Sequence, residues 1–315
     1  MVNILGQRDT FRRKSQSGTK GVSNVRAFDY ISTKTVDEAV ALLKDKGDQA
    51  RVLAGGTDLI VQVRENRRDI DLMVDIKDIP EANELSYEPG TGLTIGTAVP
   101  CYKIHGDEAI SSAYPGLIDA ASLIGGTGIQ GRASLGGNLC NASPAADGIP
   151  PLMVLETICN IVGPNGGREV PVEDFCTNPG RTVLERGEFL LSLKIPAPKE
   201  NSGAFYLRFI PRNEMDIAVV GAGASVVLDD KKSSFVSARI ALGAVAPTPL
   251  LAEEAGAALA GKGISDEAIN AASEAAKSIA RPISDMRGTA EQRVHLVGVL
   301  TSRALNGAIK RAKGS

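Results

Sequence analysis

Leu53-Ala54-Gly55-Gly56-Thr57-Asp58-Leu59 and Ala133-Ser134-Leu135-Gly136-Gly137-Asn138, the second running on to Asp147, are the stretches whose reading decides the fold. Each sits beside β-compatible residues and lacks bulk. Each also offers consecutive backbone N–H groups that can close on an anionic phosphate with no side chain in the way. The expectation is a nucleotide cofactor held mainly by backbone.

The rest of the chain is read outward from these loops. Thr35 to Lys46 has the spacing of an amphipathic helix, with Thr35 as N-cap, Val36, Ala39, Val40 and Leu43 on one face and Gly47 as the stop. Ala50 to Ala54 then reads as a short buried strand leading into the first loop, with Met73 to Ile76 and Leu93 to Ala98 as further strands. Ala109 to Ile124 is helix-like and divided at Pro115. Beyond the second loop come a short helix, Ile149 to Leu155, and strands over Ile158 to Val162 and Glu188 to Ile195. Pro196 to Gly203 interrupts every periodicity and is the best boundary. Strands over Ala204 to Ile210, Ala218 to Leu228 and Val236 to Ala246 follow. Helices over Leu250 to Leu259, Asp266 to Ala280 and Ala290 to Arg311 then complete an α+β layer.

Composition excludes several classes. With 315 residues, 23% charged, 43% hydrophobic and a net charge of -2, the chain lacks the basic surface that nucleic acid requires, and without Trp it offers few platforms for base stacking. Cys101, Cys140, Cys159 and Cys176 are too scattered to encode a zinc site or an iron–sulfur cluster. No run reaches the length of a membrane span and no signal peptide is visible, so a cytoplasmic protein with free thiols is expected. Residues 1–26 carry Arg8, Arg12, Arg13, Lys14, Lys20 and Arg26 among polar residues. They read as a disordered leader, an over-long start or a basic interaction arm, outside the fold.

Two nucleotide motifs fail on context. Gly126-Thr127-Gly128-Ile129-Gln130-Gly131 satisfies G-x-G-x-x-G, but a helix-like segment stands where a dinucleotide fold needs a strand. Arg132-Ala133 stands where a phosphate-binding loop of an NTPase needs Lys-Ser/Thr.

The two loops and their flanks, in this order, resemble the FAD-binding medium subunit of molybdenum hydroxylases, the family of xanthine dehydrogenases and aerobic carbon monoxide dehydrogenases. Gly187 to Pro196, Arg212 to Ala218 and Ser284-Asp285-Met286-Arg287-Gly288-Thr289-Ala290 match as well, so the resemblance runs from about Phe28 to the end. It implies an α+β fold with a PCMH-type FAD-binding domain over 27–200, made of two α+β subdomains, about 27–82 and 83–200. A C-terminal domain of antiparallel sheet packed on helices would follow over 203–315.

It also implies an electron relay. Substrate would be hydroxylated at a molybdenum cofactor on a large molybdopterin subunit. Electrons would cross two [2Fe-2S] clusters on a small subunit, and FAD on this chain would pass them to NAD or another acceptor, in a dimer of heterotrimers. Carried over motif by motif, Leu53, Ala54, Gly55, Gly56, Thr57, Asp58 and Leu59 match the first diphosphate loop. Ala133, Ser134, Gly136, Gly137 and Asn138 match the second. Asp147 matches a nucleotide contact and reads equally as N-cap of the helix near Ile149. Ile124 and Leu190 match the residues sandwiching the flavin ring and read equally as core. Arg208 aligns with a lysine whose fixed charge would tune the flavin, or is a surface arginine. Tyr206 is a weaker ring contact.

No residue is assigned a catalytic role, because flavin reduction by clusters takes single electrons and solvent protons. The alternative is a stand-alone FAD oxidoreductase of the same superfamily, which would need its own substrate pocket and an acid–base residue.

Overall fold

The computed structural model describes residues 25–212 and 215–314, so most of the basic N-terminal stretch lies outside the described residues. Arg26, within them, pairs with Asp69 and Asp71.

Three short strands, β1 (Asp29–Ser32), β2 (Ala50–Leu53) and β3 (Leu72–Asp75), form a parallel sheet in the order β1-β3-β2. Central β3 is buried throughout, as a parallel strand covered on both faces must be. Helix α1 (Val36–Lys46) joins β1 to β2 as the apolar spacing predicts. The Thr35 hydroxyl accepts from Glu38 N–H, Ala39 and Leu43 are buried, and Gly47 ends the helix at a φ of 51°. Helix α2 (Leu59–Arg64) leaves the first glycine segment and leads towards β3.

The second unit is a five-stranded antiparallel sheet in the order β4-β5-β10-β6-β7. Its strands are β4 (Leu85–Glu88), β5 (Gly92–Gly96), β6 (Ile158–Gly163), β7 (Gly166–Pro171) and β10 (Phe189–Pro196). A small hairpin of β8 (Cys176–Asn178) and β9 (Arg181–Thr182) precedes β10. Between β5 and β6 the chain runs through α3 (Cys101–His105), α4 (Glu108–Ala113), α5 (Pro115–Ala121), α6 (Thr127–Gln130), α7 (Leu135–Cys140) and α8 (Ile149–Val154), with α9 (Val172–Phe175) after β7. Pro115 occupies the first turn of α5, where its missing N–H costs nothing, and the break falls there as expected.

The third unit is the antiparallel sheet β11 (Ser202–Phe209), β12 (Val220–Leu228), β13 (Phe235–Gly243) and β14 (Leu250–Leu251). Helices α10 (Glu253–Ala257), α11 (Asp266–Ile279) and α12 (Ala290–Ala312) close it around an aliphatic core that includes Val226, Leu242, Leu300 and Leu305. Wholly buried α8 lies under the opposite face of this sheet, where Pro150 packs against Gly223 and Gly243. The fold is α+β throughout, as expected. Among the described residues no helix is long and apolar enough to cross a membrane.

Two expectations are corrected. Leu250 to Leu259 is not one helix: Leu250 and Leu251 pair with β13 at Leu242 and Ala241, and the helix begins at Glu253. A short apolar run cannot be told from a strand by periodicity, and the open edge of β13 takes it. The second glycine segment is not a loop but helix α7, started by Ser134, whose hydroxyl accepts from Gly137 N–H. Packing overrides the poor helix propensity of its two glycines.

Candidate functional site

The two glycine segments meet. Arg132 Nε donates to the Gly55 carbonyl at 3.1 Å. A Cβ on Gly55 would lie 2.1 Å from the Arg132 carbonyl oxygen, and one on Gly136 would lie 1.9 Å from Thr97 Oγ1. The sequence suggests that these glycines clear space for a ligand. Instead, Gly55 and Gly136 are required by the approach of protein to protein, and the donor surface is a consequence of that contact. Gly56 is fixed separately by its backbone, at a φ of 78°.

The segments line one cavity of about 920 Å³ between the parallel and the five-stranded sheets, a size typical of small-molecule sites. The N–H groups of Gly55, Gly56, Thr57, Asp58 and Leu59 donate to no acceptor among the described residues. Five successive free donors at the start of a helix make a fixed concentration of positive dipole suited to a phosphate. In the second segment Gly136 N–H is also unused, whereas Gly137 N–H is taken by Ser134. Asn138 Oδ1 accepts from Gly148 N–H at 3.1 Å, which places the start of α8.

Ala54, Ala133, Ser134, Asn138, Ile124 and Leu190 also line the cavity. Ile124 and Leu190 belong at the same time to the core of the second unit, so lining and packing are roles of the same side chains. Leu53 does not line the cavity. It is buried at the end of β2 with Val63, Ile70 and Met73.

Asp147 and Arg208 lie away from this lining and form a buried ion pair. Tyr206 Oη donates to the other oxygen of Asp147 at 2.7 Å. Burial raises the Asp147 carboxyl, and Arg208 and Tyr206 oppose it; the Tyr206 hydroxyl is pushed well above its ordinary value by burial first. Two expectations change accordingly. The N-cap of α8 is Gly148 and makes no side-chain cap, so Asp147 does not serve there. The Arg208 side chain is 7% exposed, so it is not a surface arginine. Its guanidinium pairs with Asp147.

Other lining residues carried no motif. Arg68 Nε donates to Gln62 Oε1 at 2.6 Å, and Gln62 Nε2 donates to Asn141 Oδ1 at 2.9 Å, a polar string that ties α2 to the end of α7. Arg51, four residues before Gly55, lines the same wall. Arg186 donates to the carbonyls of Lys44 and Asp45, both at 3.1 Å, and so satisfies the C-terminus of α1 from the facing unit. Position along β2 and one turn of α2 were the available signals for Arg51 and Gln62. Cys140 also lines the cavity, but burial pushes its thiol up to about 12. It is a neutral filler.

Two α+β units closed around a donor-lined cavity define a protein that binds a nucleotide cofactor. Residues 26–198 match the family model of the FAD binding domain in molybdopterin dehydrogenase, and 205–308 that of the CO dehydrogenase flavoprotein C-terminal domain. The chain is 35% identical to the carbon monoxide dehydrogenase medium chain of Afipia carboxidovorans, over 91% of this chain and 98% of that one. It is 32% identical to the xanthine dehydrogenase FAD-binding subunit of Escherichia coli O157:H7, over 91% and 99%. Among solved structures, carbon monoxide dehydrogenase from Hydrogenophaga pseudoflava superposes with a TM-score of 0.87 at 33% identity, covering 91% of this chain and 98% of that one. Quinoline 2-oxidoreductase from Pseudomonas putida 86 gives 0.84 at 28%, covering 92% and 99%. The chain belongs to the FAD-binding medium subunits of the molybdenum hydroxylases, an oxidoreductase family.

Proposed function

We propose that this chain holds FAD in the cavity between its first two sheets and relays electrons within a multi-subunit hydroxylase. The run of unused N–H groups from Gly55 to Leu59 is the observation that carries the reading, since a bound diphosphate would satisfy donors that nothing else among the described residues takes. When bound, FAD supplies uptake of single electrons and delivery of electron pairs. The chain's own part is to hold and orient. The donor segment and α7 fix the diphosphate, Ile124 and Leu190 flank the ring, and the Asp147–Arg208–Tyr206 cluster keeps the third sheet docked beside them.

The electrons would come from [2Fe-2S] clusters of a small subunit, after oxidation of substrate at the molybdenum cofactor of a large one, and leave to NAD or another acceptor. A dimer of heterotrimers in the cytoplasm is the assembly proposed. Four free cysteines with neutral thiols suit a reducing compartment.

The test is to denature the purified full chain and identify what it releases. One FAD per chain, with no iron, is the expected result. A colourless chain that takes up no added FAD would overturn the function and leave the fold.

A further inference from the structure

Resting on the reading of the cavity as an FAD site, we propose that Arg186 is a positioning residue that latches the cavity shut at the end of α1 and sets the rate of flavin exchange without holding the flavin. One rim of the cavity is made by Leu43, Gly47 and Asp48 of the first unit and by Leu184 to Gly187 of the second. No backbone hydrogen bond joins these two segments among the described residues. The Arg186 side chain crosses from one to the other. Its Nε donates to the Lys44 carbonyl and its Nη2 to the Asp45 carbonyl, each at 3.1 Å.

The mount of this side chain is rigid. Glu188 accepts from Glu185 N–H at 2.7 Å and from Arg168 Nε and Nη2 at 2.8 and 2.7 Å, and Arg168 Nη2 also donates to the Val183 carbonyl at 2.8 Å. These bonds fix the turn between β9 and β10. Gly187 lets that turn press on α1, since a Cβ there would lie 2.7 Å from Pro164 Cγ and 3.3 Å from Lys44 Cα. The guanidinium rests on Gly47, where a Cβ would lie 2.8 Å from Arg186 Cζ.

The latch itself is easily released. Its bonds are exposed and its acceptors are neutral carbonyls. On opening, the guanidinium and the last carbonyls of α1 pass to water, so no charge is left buried and unpaired. The other side-chain links between the two walls, Arg132 to the Gly55 carbonyl and Gln62 to Asn141, are part-buried. Beneath the latch Leu43 and Phe189 share one apolar core, which keeps the units in register while the rim opens.

A contact made alike in the empty and the filled protein has no preference between them and cannot change affinity. It changes only how fast one becomes the other. A residue that held the flavin would slow release alone.

The experiment strips flavin from the full chain, follows rebinding of FAD by stopped-flow fluorescence and measures release on dilution. Arg186→Ala speeds association and release by the same factor, about ten-fold for two exposed hydrogen bonds, and leaves the dissociation constant and the bound-flavin spectrum unchanged. Arg186→Lys, a point charge without the planar fork, falls between it and wild type, and carries the test if Arg186→Ala fails to fold. Unchanged rates overturn the latch, as does faster release with weaker affinity and unaltered association, which would make Arg186 a flavin contact. Weaker affinity together with a lowered melting temperature also overturns it, since that is the mark of a structural brace. Each of these leaves the FAD reading intact, whereas a wild-type chain that takes up no FAD overturns the FAD reading itself.

Discussion

At the scale of the residue, what a glycine does depends on where its missing Cβ would point. Gly55→Ala would drive a methyl group into a backbone oxygen 2.1 Å away, one that cannot move without opening the contact between the two glycine segments. Overpacking of this kind costs about 1–3 kcal/mol. It should appear as a lowered melting temperature together with reduced flavin content. Gly128, the middle glycine of the G-x-G-x-x-G match, has nothing within 4 Å of its Cβ position and no left-handed φ. Gly128→Ala should leave both measurements unchanged or slightly raise the first, because alanine suits a helix better. If Gly128→Ala lost flavin as Gly55→Ala does, the motif rather than the contact would be holding the cofactor. Both glycines stand in equally recognisable patterns, and only the contact distinguishes them.

At the scale of the element, most of the fold was legible because local signals and tertiary packing agree. Thr35, the apolar face of α1 and Gly47 encode one helix three times over, and Pro115 marks the division between α4 and α5. Strands β1, β4 and β7 and the small β8–β9 hairpin were not legible. β1 is exposed at all four positions, and β7 opens on Gly166-Gly167 followed by Arg168-Glu169, so neither shows an apolar alternation in its sequence, and each exists because a partner strand supplies its ladder. The site divides in the same way. The glycine segments announced themselves, but Arg51 stands in a strand read only for its burial and Gln62 and Arg68 in a stretch assigned no element, and the cavity joins them through folding alone. The loop from β11 to β12 gives a prediction of its own. Asp216 accepts from the Arg212 side chain and from the backbone N–H groups of Arg212 and Ile217, and its carboxyl is held down to about 2, chiefly by Arg212. A depressed carboxyl stabilises the fold fully above the ordinary aspartate value of 3.8 and loses that contribution as pH falls towards 2. The gap in urea midpoint between wild type and Asp216→Asn should therefore be constant near neutrality and shrink as pH falls through that window. A gap independent of pH would mean that the loop is held by shape rather than charge.

At the scale of the whole molecule, the third sheet is docked by pairs of one polarity. Arg208, Arg239 and Arg311 come from the C-terminal unit, and each meets a carboxylate of the preceding unit, Asp147, Glu173 and Asp119 respectively. This pattern fixes orientation more than it adds stability, because a paired charge gains little over a well-packed apolar contact while a broken pair leaves a poorly solvated partner. The Asp119–Arg311 pair is the most connected. Arg311 Nη2 donates to Asp119 at 2.8 Å, its Nη1 also reaches the Ala204 carbonyl at 2.7 Å, its guanidinium lies 4.5 Å over the Phe205 ring, and Asp119 accepts from Tyr206 N–H at 3.1 Å. Both side chains are only partly shielded, at 27% and 20% exposure, so the loss on Arg311→Ala should be nearer about 2 kcal/mol than the value for a fully buried pair. Since α8 is shared between the second core and the third sheet, the loss should destabilise both units together, and hydrogen exchange should rise in β11 and around α5 at once. Exposure confined to α12 would show instead that the C-terminal helix frays alone and that docking rests on the packing of α8.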